Sequence, residues 1–250
     1  MGSPSRADIY AVRSGGRVTR LGVGAGVAPD PNNRAVWIKS FVDRRRCELR
    51  QVGLDGRLMR ARRPFACAST LAPGGSLGLV VNRTRVLDPV TGRTVLRTRW
   101  GVIAAAGRKL VLAGPGKQFT LTDGVTRSER RLRWPSVLTG IGGAAVDPRG
   151  RFVALGFADP AWQGGEKQAL DVWLLDMQTG SLAQLPGMPA FVSLKATSMA
   201  WTDDGRLVLL AEAGGREVVA VWRPGQTQLA LKALRLPKRD SGSDTFAPLG

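Results

Sequence analysis

One turn recurs along this chain, and its recurrence limits the available folds more than any other feature. An apolar run, a tight turn carrying Gly or Asn, and a second apolar run appear at residues 27–37, 71–80, 103–112, 145–154 and 200–209. Aligned on Asn33, Gly75, Gly107, Gly150 and Gly205, the copies are spaced by 42, 32, 43 and 55 residues. Gly and Asn suit the aligned position because a tight hairpin needs a positive φ there. A second hairpin follows each copy, with turns at 54–57, 88–93, 123–126, 176–181 and 223–226. In the Asp-x-x-Thr-Gly form of this turn (Asp88 to Gly92, Asp176 to Gly180), the carboxylate accepts backbone N–H bonds and the glycine takes the left-handed conformation. A further second-type hairpin, residues 8–18, stands alone near the N-terminus, making six second hairpins against five complete first hairpins.

Hairpin pairs at a period near 40 residues read as the four-stranded blades of a β-propeller. The expectation is an all-β chain of six blades, with five and seven as alternatives. The odd N-terminal hairpin suggests a ring closed by shared termini. Residues 8–12 and 17–21 would be the outer strands of the last blade, and 244–250 its innermost strand. Residues 1–7 read as a disordered or engineered terminus, and 8–250 as a single propeller domain.

The runs Asp-Pro-Arg-Gly-Arg-Phe-Val-Ala at 147–154 and Leu-Leu-Asp-Met-Gln-Thr-Gly at 174–180 resemble TolB-type and related tryptophan–aspartate-like propeller repeats. The resemblance covers about residues 8–250 and is strongest over 141–235. The repeat at Gly107-Arg108-Lys109 departs from it by lacking the Asp-Pro lead. It implies a bacterial protein-binding scaffold, commonly in the cell envelope, with no general catalytic set.

The 250 residues include no histidine. A Ser-His-Asp triad, a Cys-His pair and a HExxH zinc site are therefore excluded within the chain. Gly74-Gly75-Ser76-Leu77-Gly78 formally matches a nucleophile elbow, but it falls in a hairpin turn and lacks the histidine. Gly114-Pro115-Gly116-Lys117 resembles the end of a P-loop, yet Gln118 stands where magnesium needs Ser or Thr. Asp147, Asp176, Asp203 and Asp204 offer carboxylates for calcium, but each already has a turn role in the repeat. No metal and no cofactor are expected.

Charge is unevenly distributed. Residues 1–136 carry 26 Lys plus Arg against 8 Asp plus Glu, while residues 137–250 carry 11 of each, so the whole +18 lies in the first part. One reading is a solvated basic face from biased codons, since 30 of the 37 cations are arginine. The other is an anionic partner. Candidate binding residues are Arg44, Arg45, Arg46, Arg62 and Arg63 for attraction, and Trp162, in an insertion at 157–167, as an apolar anchor. Trp37, Trp173, Trp201 and Trp222 lie in predicted strands and are assigned to packing between blades. Phe41 and Phe65 are the only aromatics near the arginine run, which makes a nucleic acid a weaker partner than a protein or an anionic envelope polymer or lipid.

Cys47 and Cys67 are the only cysteines, and the reading leans toward a disulfide in an exported protein over two buried thiols in the cytoplasm. No apolar stretch approaches the length of a membrane-spanning helix. The expected function is a non-catalytic binding scaffold, outside the cytoplasm, acting through blade-connecting loops. The alternative is a propeller hydrolase or lyase using Asp or Glu on a saccharide or lactone.

Overall fold

The computed structural model describes residues 7–12, 18–30, 34–43, 46–114, 119–132, 135, 140–158, 167–193, 199–213 and 216–233. Two compact units divide the chain, one built chiefly on residues 1–112 and 123–128, the other on 113–122 and 129–248.

The regular structure is almost entirely antiparallel strand. β1 (Ala7–Val12) and β2 (Val18–Gly24) pair as a two-stranded sheet. β3 (Gly26–Pro29), β4 (Ala35–Phe41), β5 (Cys47–Gly53) and β6 (Leu58–Phe65) form a four-stranded sheet in chain order. The pattern returns as β7 (Leu71–Pro73), β8 (Leu79–Val81), β9 (Arg85–Leu87) and β10 (Thr94–Arg97). It returns again as β11 (Gly101–Ala106), β12 (Lys109–Ala113), β13 (Phe119–Asp123) and β14 (Glu129–Arg131).

The next group is β15 (Gly140–Val146), β16 (Phe152–Ala158), β17 (Lys167–Asp176) and β18 (Leu182–Gln184). β19 (Ala190–Ser193) follows, then β20 (Met199–Trp201), β21 (Leu207–Ala213), β22 (Arg216–Trp222) and β23 (Ala230–Ala233). β19 pairs with both β17 and β21, which merges these last two four-stranded repeats into one nine-stranded sheet. Every first and second hairpin expected from the spacing is present. The proposed closing strand at 244–250 lies outside the described residues.

Turn chemistry explains the regularity. Gly75, Gly107, Gly150 and Gly205 all have positive φ, as do Gly56, Gly92, Gly180 and Gly225 in the second hairpins. Gly75 is the most constrained of them. A Cβ there would collide with the Gly107 carbonyl oxygen, which also accepts the Ser76 amide at 2.8 Å. Asp88, Asp123 and Asp176 repeat one geometry: each Oδ1 accepts the amides two and three residues on.

Strand sequences follow burial. β4 is inside a sheet covered on both sides, so six successive residues from Ala35 to Ser40 are buried or half-buried. β21 alternates, with Leu207, Leu209 and Ala211 inward. Cores form between consecutive sheets. Ala28, Trp37 and Leu49 of one sheet meet Leu79 of the next, and Ala11 and Leu21 of β1 and β2 meet Ile38 and Val52. In the second unit Trp201 and Trp222 pack with Ala145, Ala154 and Val172 across the last two repeats. Each tryptophan also satisfies its indole N–H: Trp201 donates to the Ala145 carbonyl at 3.1 Å and Trp37 to Asp30 at 3.2 Å.

Candidate functional site

The arginine cluster depends on how β5 and β6 pair. Cys47 lies opposite Phe65, Glu48 opposite Pro64 and Leu49 opposite Arg63, so residues 46–49 and 62–65 share one end of the sheet. A disulfide between Cys47 and Cys67, with Cα atoms 5.0 Å apart, ties β5 to the chain leaving β6. The buried Lys39 reinforces the same exit. Its ammonium donates to the carbonyls of Cys67 at 3.1 Å and Ser69 at 2.8 Å, and burial pulls its pKa below the ordinary lysine value.

The structure gives the predicted arginines different work. Arg46 is exposed and pairs with Asp43 through both its amide and its guanidinium. Arg62, also exposed, lies 3.4 Å from Glu48. Arg63 turns the other way and forks onto the 88–92 turn, donating to the carbonyls of Pro89 at 3.2 Å, Val90 at 2.8 Å and Thr91 at 3.0 Å. Its guanidinium occupies the space a side chain on Gly92 would need. Arg130 repeats the arrangement in the second unit, donating to Thr179 beside Gly180. Arg63 is thus partly a structural brace. Arg44, Arg45 and Trp162 lie outside the described residues.

Beside β6 the surface is hollowed into a cleft of about 460 Å³, lined by Trp37, Met59, Arg60, Arg62, Arg63, Pro89 and Val90. Met59 and Val90 are exposed at 56% and 47%, a large apolar exposure next to three guanidinium groups. Among the described residues none pairs with Arg60. Sequence reasoning missed Arg60, Met59, Trp37 and Val90 as partners of the arginines. The signal for Arg60 was its place two and three residues before Arg62 and Arg63 on one strand; nothing local announces Val90, which the fold brings in from the next sheet.

Carboxylates elsewhere are engaged in folding. Asp147 accepts the amides of Arg149, Arg151 and Phe152, and Asp171 accepts Trp173 and Gln184. The Thr202 hydroxyl, Arg206 and Arg223 hold Asp204 down at about 2. The Thr91 hydroxyl, then the Val90 and Thr91 amides, lower Asp88; the Thr126 amide leads the lowering of Asp123. Burial pushes Asp176 up, but the Thr179 and Gln178 amides and Arg151 outweigh it and leave it low. Among the described residues no three His, Cys, Asp or Glu side chains cluster as a metal site. Ser76 sits in a short 3₁₀ turn between β7 and β8, the hairpin setting expected of it, and the P-loop-like residues 115–118 lie outside the described residues.

Comparison with solved structures resolves the fold. TolB from Acinetobacter baumannii superposes with a TM-score of 0.57 at 14% identity, over 90% of this chain and 58% of that one. The fold is a TolB-like β-propeller. Other propellers superpose similarly: the acylaminoacyl peptidase of Pyrococcus horikoshii has a TM-score of 0.54 at 10% identity, over 88% of this chain and 40% of that one. KlAtg21, solved in complex with the coiled-coil of AgAtg16, has a TM-score of 0.53 at 10% identity, over 86% and 72%. The propeller here therefore spans less than two thirds of the length of the TolB chain. No protein-family profile matches the sequence, and no curated protein does. In the blades, no helix among the described residues is long and apolar enough to cross a membrane.

Proposed function

We propose that this propeller is a non-catalytic scaffold that binds an anionic protein partner through the basic end of its first blades, outside the cytoplasm. The observation that carries this reading is the arginine-lined cleft beside β6, within a segment that holds the whole +18 surplus. Long-range attraction from such a field raises association rates and is weakened by salt. The repeat's carboxylates support the scaffold reading over acid–base catalysis. Asp88, Asp123 and Asp176 are committed to backbone amides and held ionised, whereas a general acid needs a proton near neutral pH. The Cys47–Cys67 disulfide supports an oxidising compartment. KlAtg21 is a propeller solved with a protein partner, the kind of use proposed here.

Poly-L-glutamate, titrated against the intact chain over a series of salt concentrations, tests the proposal. The variant carrying Arg44→Glu, Arg45→Glu, Arg46→Glu and Arg62→Glu leaves the bracing Arg63 in place. It is expected to bind at least about tenfold more weakly and with a flatter salt dependence. Equal binding by both proteins would contradict the proposal.

A further inference from the structure

We infer that the cleft beside β6 takes an extended acidic peptide, one whose carboxylates alternate with apolar side chains. The inference rests on the scaffold reading and names the partner's chemistry at one site. Three features of the cleft define the ligand. Arg60 is exposed and, among the described residues, has no hydrogen bond or ion pair, so it offers a guanidinium to a ligand carboxylate. Arg62 stands beside it with its own side chain exposed, held among the described residues by one long contact of 3.4 Å to the largely buried Glu48, which leaves guanidinium N–H groups for a ligand.

The turn carbonyls of Pro89, Val90 and Thr91 are occupied by Arg63, so this wall presents few acceptors and favours a ligand that itself accepts hydrogen bonds. The side chains of Pro89 and Val90 make the same wall apolar, and Met59 and a floor of buried Trp37 extend that surface. A polyphosphate or a sugar acid would use the arginines and leave that wall wet.

Topology supplies the third feature. β6 is the outer strand of its sheet, so its outer backbone edge has no strand partner among the described residues. Four of the seven cleft residues, Met59, Arg60, Arg62 and Arg63, belong to β6 itself. An extended peptide laid along such an edge gains main-chain hydrogen bonds, while its side chains alternate between faces. Strand alternation in the ligand then matches carboxylates to Arg60 and Arg62 and apolar groups to Met59 and Val90. A volume near 460 Å³ falls in the range usual for ligand clefts.

The test uses a fluorescein-labelled peptide of alternating Glu and Leu, with alternating Gln–Leu and Glu–Ser peptides as controls, measured by anisotropy on the intact chain. Poly-L-glutamate is titrated in parallel. The Glu–Leu peptide is expected to bind at least about tenfold more tightly than either control. Arg60→Ala and Met59→Ser, both exposed and expected to melt with the parent, should each remove most of that preference. If both variants bind the Glu–Leu peptide as the parent does, the cleft assignment is overturned, and retained poly-L-glutamate binding leaves the scaffold reading standing. If the parent binds neither probe, both fall.

Discussion

Arg127 occupies a position built for glycine. It lies four residues after Asp123, as Gly92 follows Asp88 and Gly180 follows Asp176, and its φ of 57° is left-handed like theirs. A non-glycine residue there carries a cost of about 1–2 kcal/mol, partly offset because glycine loosens the unfolded chain. Arg127→Gly is therefore expected to stabilise the protein by roughly 0.5–1 kcal/mol, read as a higher urea midpoint; a lower midpoint would contradict this account. The same turns govern the acid response. A carboxylate with a lowered folded pKa stabilises the fold above its ordinary value of 3.8 and loses that contribution as pH falls through the folded value. The urea midpoint should hold near neutral pH and drop below about pH 4. Asp88→Asn, which still accepts the turn amides but cannot ionise, should make the drop shallower.

At the scale of elements, two arginines adjacent in sequence, Arg62 and Arg63, separate cleanly. Arg63→Ala removes the donors for three carbonyls and is expected to cost about 1–3 kcal/mol, and Arg63→Lys should not restore it, because an ammonium cannot fork across them. Arg62→Ala loses one long contact, 3.4 Å, between an exposed guanidinium and the largely buried Glu48, and should cost less, under about 1 kcal/mol. Thermal melts of the three variants decide this. Removing the Cys47–Cys67 bridge, with its 20-residue separation, should cost about 3 kcal/mol and loosen the exit of β6. The hairpins were legible because positive-φ turns leave Gly, Asn and Asp in the sequence, and Gly75, Gly107, Gly150 and Gly205 mark them directly. The bridging strand β19 was not: Ala190–Ser193 is short and lacks a marked turn, and its pairing to β17 and β21 is decided by tertiary context.

For the whole molecule, the basic surplus was visible from counting alone, but its division of labour was not. Arg46, Arg62 and Arg63 read alike in sequence; the register of β5 against β6 and the approach of the 88–92 turn make one a brace and leave Arg60, unremarked before, facing a cleft. On the function proposed above, charge placed on the first blades, and not charge in general, recruits the partner. Two charge-reversed proteins test it most directly by the salt dependence of poly-L-glutamate binding. One carries Arg46→Glu, Arg60→Glu and Arg62→Glu; the other carries Arg149→Glu, Arg216→Glu and Lys232→Glu, three exposed cations of the neutral part. The first is expected to lose about tenfold or more in affinity with a flattened salt slope, while the second binds as the parent does. Equal losses in the two proteins would contradict it.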